Sequence, residues 1–210
     1  METWLTWCIK RPAPTSKLGY ESTGAFHEGK KYLVAHSMEG PLSAGLGELD
    51  KLTRRASWAF SNPKVGDMLE HFAVTAVAWA SGTLEANRDG VAVENEGKVG
   101  EPLTPSQIAN LVRLCRDLQA LFGWGPPSRE TWLREHRDFS QTACPSNRIP
   151  WVTIIDTLNE EEAMNLEEKI AFKALQEKVA AIDKTLSETV ARAIARIERK
   201  IDKHIDDDHS

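Results

Sequence analysis

Three cysteines in 210 residues are too few, and odd in number, for a disulfide framework. Cys8 and Cys115 read as packing residues, and Cys144 is left to be judged by its neighbours. Positive charge is also scarce. The 26 Lys and Arg stand against 31 Asp and Glu, a net charge of −5, so the chain carries no electrostatic footprint for nucleic acid. No apolar run approaches the roughly 18 to 20 residues that a membrane-spanning helix needs. The stretch Met1 to Lys10 has neither a basic start nor a true apolar segment, so no signal peptide is expected and synthesis in the cytoplasm is. From Leu158 onward there is no Gly, no Pro and no Trp, which marks the end of the chain as a different material.

What is present suits one domain plus an appendage: residues 1–157 and residues 158–210. Residues 1–30 are rich in Pro, Gly and Ser and read as an irregular arm, with Trp4 and Trp7 in a short strand. The run Lys31-Tyr32-Leu33-Val34-Ala35-His36 stops at Ser37-Met38-Glu39-Gly40 and predicts a short buried strand with His36 at its end. Leu42, Leu46, Leu49 and Leu52 predict a helix from Leu42 to Arg55. Strands are expected near 56–61, 69–75, 90–95 and 132–136. Thr104, Pro105 and Gln107 form a capping box that opens a helix with Ile108, Leu111, Val112, Cys115, Leu118 and Phe122 on one face, stopped by Gly123. Strands alternating with helices predict an α/β fold, a mixed central sheet flanked by helices.

The appendage carries a stripe: Leu175, Val179, Ile182, Leu186, Val190, Ile194, Ile197, Ile201 and Ile205 step by three or four. An isoleucine-rich stripe left in water costs about 1.5–3 kcal/mol per side chain, so a coiled coil between copies of the chain, a homo-oligomer, is expected, with a hairpin broken at the capping box Thr185-Leu186-Ser187-Glu188 as the weaker option. With 9 basic against 13 acidic residues the segment 158–210 is at −4, whereas 1–157, with 17 against 18, is at −1. It is therefore unlike the basic amphipathic helices that disrupt membranes.

The residues that carry chemistry lie in the first domain. His136 and Cys144 stand eight positions apart around a short turn-forming insert that ends in Cys144-Pro145. Imidazole nitrogen and thiolate sulfur are both good zinc ligands. A catalytic zinc site needs a third ligand and an open position for water. His36, at a strand end, is the best placed; His27, His204 and His209 sit in polar segments, and His71 is expected on a sheet surface. In Gly90-Val91-Ala92-Val93-Glu94-Asn95-Glu96-Gly97, alternation puts Val91, Val93 and Asn95 on one face and Ala92, Glu94 and Glu96 on the other. A carboxylate flanked by Val91, Ala92 and Val93 is costly to bury without a purpose or a partner.

The segment His136-Arg137-Asp138 to Thr142-Ala143-Cys144-Pro145 resembles a signature of the zinc-dependent N-acetylmuramoyl-L-alanine amidases, the family of phage endolysins and peptidoglycan recognition proteins. Lys31 to Ser37, Ala56-Ser57-Trp58-Ala59-Phe60, Val77-Ala78-Trp79-Ala80-Ser81-Gly82, Gly90 to Gly97, Leu103 to Gln107 and Ile149-Pro150-Trp151 resemble further family segments, in the same order, over roughly residues 1–155. The resemblance implies Zn2+ held by His36, His136 and Cys144, Glu94 as catalytic base, Thr142 as a donor to a developing oxyanion, and peptidoglycan as partner and substrate. It implies hydrolysis of the bond between muramic acid and L-alanine. Trp58 and Trp79 flank the expected site and are candidates to line a sugar or peptide groove, with core packing as the other reading. Departures stand beside these. Ala59 and Ala80 occupy positions where many relatives have histidine, and Trp58 stands where phage-type relatives use a tyrosine hydroxyl. An indole offers only an N–H donor, so more weight falls on Glu94. An amidase acting on the bacterial wall without a signal peptide fits a phage or prophage lysin. Two other readings stay open here: a non-catalytic peptidoglycan binder on the same fold, and an oligomeric scaffold driven by the tail.

Overall fold

The computed structural model describes residues 2–160 and, beyond them, residues 168, 170, 171, 174, 175, 178 and 179. The chain divides into two compact units, Met1–Asn159 and Glu160–Ser210. The expected coiled-coil seam lies outside the described residues apart from Leu175 and Val179, both exposed. No helix among the described residues is long and apolar enough to cross a membrane.

The first unit is built on a six-stranded mixed sheet. In chain order the strands are β1 (Ile9–Lys10), β2 (Tyr32–Ser37), β3 (Phe60–Asn62), β4 (Leu69–Glu70), β5 (Gly90–Asn95) and β6 (Leu133–Glu135). Their order in space is β1-β4-β3-β5-β2-β6, with only the β3–β4 pair antiparallel. The helices are α1 (Leu42–Asp50), α2 (Leu84–Asp89) and α3 (Pro105–Phe122), and a further helical stretch covers 151–160. Strands β2 and β5 are buried on both faces, which is why they read as near-continuous apolar runs. Leu33 and Ala35 of β2 and Val91 and Val93 of β5 pack with Leu111, Leu114, Cys115 and Leu118 of α3. On the other face Ala92 packs with Leu49, Trp58, Phe72 and Ala76. By alternation His36 and Glu94 belong to this second face. Gly90 permits the close crossing at the start of β5: a Cβ there would lie 2.4 Å from Ala86 O and 2.8 Å from Val34 Cγ2.

Helix α3 follows its local signals. Thr104 Oγ1 accepts from Gln107 N at 3.2 Å, Gln107 Oε1 accepts from Thr104 N at 3.1 Å, and Gly123 ends the helix at φ 65°. Other boundaries differ from expectation, each for a nonlocal reason. Helix α1 ends at Asp50, not Arg55, because Lys17 Nζ takes the carbonyls of Glu48, Leu49 and Lys51 at 3.0, 2.8 and 3.1 Å, leaving Leu52 in solvent. The strand expected over 56–61 is the shorter β3. The one expected over 69–75 is only β4, since the chain beyond it gives its backbone bonds to other segments: Val74 N to Thr3 O and Val77 N to Ala25 O. The arm's strand is Ile9–Lys10 on the edge beside β4, and excludes Trp4 and Trp7. The short α2, capped by Thr83 Oγ1, stands outside the elements expected from sequence. Leu158, where the sequence reading begins the tail, is buried in the core of the first unit. His71 is not on a sheet surface. It is fully buried, with Nδ1 on Arg11 O at 2.9 Å and Nε2 on Ser61 Oγ at 2.8 Å.

Candidate active site and metal centre

His36 ends β2, between β5 and β6. In register it faces Glu94 of β5, while Ala35 faces Glu135 of β6, so the chain leaves β6 with His136 beside His36. His136 is the first residue of a 3-10 turn, His136–Asp138, rather than the last of the strand. Asp138 holds that turn by accepting from Glu135 N at 2.8 Å, and it pairs with Arg129 and Arg134. The two imidazoles lie 4.7 Å apart, centroid to centroid.

Cys144 closes the group from the loop that follows. Its Sγ accepts from Ser37 N at 3.2 Å and lies 3.9 Å from His36 Nδ1. One ligand atom each from His36, His136 and Cys144 fall within 4.8 Å of one another, a group that could hold a metal ion. Glu94 Oε1 is 3.9 Å from the same His36 Nδ1, and Glu94 Oε2 is buried with no hydrogen-bond partner. Thr142 Oγ1 accepts from Cys144 N at 3.2 Å.

The electrostatics follow from burial. Desolvation, with His136 beside it, pushes His36 down to about 3. Burial and the nearby Glu39 charge push Glu94 up to about 8, against the opposing pull of Arg148. Burial pushes the Cys144 thiol up to about 12. Without a cation the donors are thus two neutral imidazoles and a protonated thiol, the state a metal displaces a proton from on binding.

The structure also brings in groups the sequence reading passed over. Ser81 Oγ touches His36 Nε2 at 3.2 Å, and Ser140 Oγ donates to Ser81 O at 2.7 Å. Asn87 of α2 fixes this loop by accepting from Ala80 N at 3.0 Å and Ser81 N at 2.7 Å. Gly82, at φ +76°, has backbone that residues with a side chain rarely adopt, and a Cβ there would lie 2.6 Å from Ser140 Oγ. Arg148 lies buried behind the Cys144 loop. Asn87 acts on its near neighbours, whereas Ser81, Ser140 and Arg148 meet residues distant in the chain; Ser81 and Gly82 are visible in the sequence only as part of the segment Val77–Gly82.

Of the two tryptophans, Trp58 is a core residue. It is 6% exposed, packs in the cluster with Leu49 and Phe72, and donates Nε1 to Ser61 Oγ at 2.9 Å. Of the two readings of Trp58, its enclosed indole matches core packing. Trp79 is half-buried, stacked on Tyr20 with centroids 4.1 Å apart, and the Arg55 guanidinium lies 4.9 Å over its ring. Ala59 is buried in the core.

Comparison with known proteins agrees with this arrangement. The N-acetylmuramoyl-L-alanine amidase (Amidase_2) family model matches residues 28–147, a segment that includes every site residue named so far except Tyr20 and Arg148. No curated protein matches the chain. Among solved structures, the chain is similar to the endolysin N-acetylmuramoyl-L-alanine amidase LysCS from Clostridium intestinale URNW, with 19% identity, TM-score 0.54, and 75% of this chain and 98% of that one covered. PlyL is similar at 19% identity and TM-score 0.57, over 72% of this chain and 96% of that one. AmpD is similar at 16% identity and TM-score 0.57, over 75% and 97%. These likenesses establish the fold, and the family match, spanning more than half of the chain, establishes the kinship: the chain belongs to the N-acetylmuramoyl-L-alanine amidase family and is an amidase.

Proposed function

We propose that this protein is a zinc enzyme that hydrolyses the amide bond between N-acetylmuramic acid and the L-alanine of the peptidoglycan stem peptide, acting on the bacterial cell wall as an endolysin does. The observation that carries the reading is the convergence of His36, His136 and Cys144 beside Glu94 Oε2, a buried carboxylate oxygen without a partner. Two imidazoles and a thiol are a donor set that suits zinc and, as three protein ligands, leave a position for water. His36 would bind through Nδ1, the nitrogen that faces Cys144 and Glu94, while Nε2 against Ser81 Oγ fixes the ring and its tautomer.

Bound zinc supplies Lewis acidity, making water acidic enough to ionise near neutral pH and polarising an amide carbonyl. Glu94 takes the proton of the attacking water and returns it to the alanine nitrogen as that leaves. With a cation held by His36, His136 and Cys144, the desolvation that raises the Glu94 carboxyl would be opposed, and Glu94 would act as a carboxylate. The Thr142 oxygen is occupied by Cys144 N–H, which leaves its hydroxyl hydrogen to donate to the carbonyl oxygen as charge develops there. Trp79 is the aromatic group left to orient substrate. The non-catalytic reading is less favoured, because Cys144 stands with both histidines. For the segment 158–210 the proposal from sequence is self-association, which would raise avidity for a polymeric wall. Light scattering on the full chain and on a chain ending at Asn159 tests it, and a monomeric full chain overturns it.

The central test is metal analysis of the purified protein together with assay of free L-alanine amino termini released from purified wall. Zinc near one per chain and new alanine termini are expected. A chain that binds zinc yet releases none would return the non-catalytic reading.

A further inference from the structure

We propose that Arg148 is a positioning residue of the amidase site: its guanidinium ties the loop that carries Cys144 to the ends of β2 and β5, and so holds the thiol against His36. The inference rests on the reading of Cys144 as a metal ligand. Arg148 lies one residue beyond the segment matched by the family model and is 5% exposed. It is reached through Ser146 and Asn147, both in left-handed backbone at φ 60° and 56°, which turns the chain back toward the sheet.

The planar fork of Arg148 meets four acceptors on three segments. Nε donates to Glu101 O at 2.8 Å, Nη1 to Ser37 Oγ at 2.8 Å and Asn95 O at 3.2 Å, and Nη2 to Glu96 O at 2.8 Å. All are neutral, so what the side chain supplies is a fixed geometry of several donors, which an ammonium cannot reproduce. Two of the acceptors belong to residues that adjoin the site. Ser37 follows His36, and the same residue whose hydroxyl meets Arg148 gives its N–H to Cys144 Sγ. Asn95 follows Glu94, and its Nδ2 donates to His36 O at 2.9 Å. The backbone leaving β5 is shaped around the fork: at Gly97, φ +116°, a Cβ would lie 2.2 Å from Arg148 Nη2. Among the described residues the groups bonded to the guanidinium are neutral, and burying it without a bonded carboxylate is expensive; a thiol held in register with two distant imidazoles is what the expense secures.

The test uses the full chain freed of zinc, and reads the rate at which Ellman's reagent modifies its thiols. Cys8 and Cys115 are buried, and Cys144→Ser assigns the Cys144 signal. In Arg148→Met, Cys144 should react about ten-fold faster while Cys8 and Cys115 stay protected, with Arg148→Lys in between. In the zinc-loaded enzyme, Arg148→Met should lower kcat by about ten-fold or more with KM little changed. An unchanged Cys144 rate in folded Arg148→Met overturns the proposal. So does exposure of all three thiols together, which would make Arg148 a general stabilising residue. Where Arg148→Met does not fold, Ser37→Ala removes one acceptor and keeps the N–H on Cys144. A rise of about three-fold is then expected, and no rise overturns the proposal. Failure of the amidase reading would show separately, as a wild-type chain that does not cut wall while the thiol rates still differ.

Discussion

Glu94 and His36 face each other across the parallel β2–β5 pair, with Glu94 Oε1 3.9 Å from His36 Nδ1 and Glu94 Oε2 buried without a partner. Two residues on, Glu96 has a different fate. Its Oε1 accepts from Leu42 N at 3.0 Å, at the start of α1, and its Oε2 from Lys64 N at 2.8 Å. One carboxylate keeps an unpartnered oxygen beside His36, and the other anchors a helix end.

This contrast gives the first prediction. Glu94→Gln should keep its zinc and lose about 10² to 10⁴ in kcat, the usual worth of a general base. Glu96→Gln should keep kcat within a few-fold and lose about 1–3 kcal/mol of stability, from the weakened bonds to Leu42 and Lys64. Steady-state kinetics on wall fragments, metal analysis and urea denaturation check both. Equal turnover in Glu94→Gln and wild type would move the base elsewhere.

The ligand set is checked by zinc content. His36→Ala, His136→Ala and Cys144→Ala should each abolish zinc binding or weaken it severely, because three protein ligands leave no redundancy. Competition with a chromophoric chelator gives the affinities. Wild-type affinity in His36→Ala would mean that another residue is the third ligand.

A pH dependence of stability follows from Asp89, away from the candidate metal site. Burial pushes its carboxyl up, but hydrogen bonds from Arg88 and Lys31 outweigh burial and hold it at about 2, below its ordinary 3.8. A carboxyl depressed in the folded state stabilises the fold above the unfolded value, and the stabilisation is lost as pH falls through the folded one. Asp89 should therefore contribute about 2 kcal/mol at neutral pH, lost between about pH 4 and 2. Denaturation curves of wild type and Asp89→Asn should converge across that window, and a constant gap down to pH 2 would contradict the assignment.

Lys17 supplies a stability test. It is 2% exposed and its ammonium closes the C-terminal end of α1 through three carbonyls. Lys17→Met keeps most of the volume but strips those carbonyls of their donor, so a loss of about 1–3 kcal/mol is expected. Urea denaturation measures it, and unchanged stability would show that solvent replaces the ammonium at no cost.

Sequence alone made legible whatever is written in neighbouring residues. The capping box at Thr104, the glycine stop at Gly123 and the one-sided face of α3 are local, and the structure has them where the pattern puts them. The apolar runs of β2 and β5 are likewise visible because burial on both faces leaves an unbroken signature. The His136 and Cys144 pair could be seen because the two stand only eight positions apart, and Glu94 because alternation separates it from Val93. What the sequence could not decide is which distant groups meet. A lysine from the arm shortens α1, a serine after Trp79 touches His36, and Arg148 reaches back to β2 and β5. In sequence Trp58 suits a groove as well as a core, and only the packing of α1 and the 71–78 segment encloses it. Hydrogen-bond geometry and enclosure are properties of the assembled sheet and loops, so residues far apart in sequence acquire these roles only when the tertiary structure brings them together.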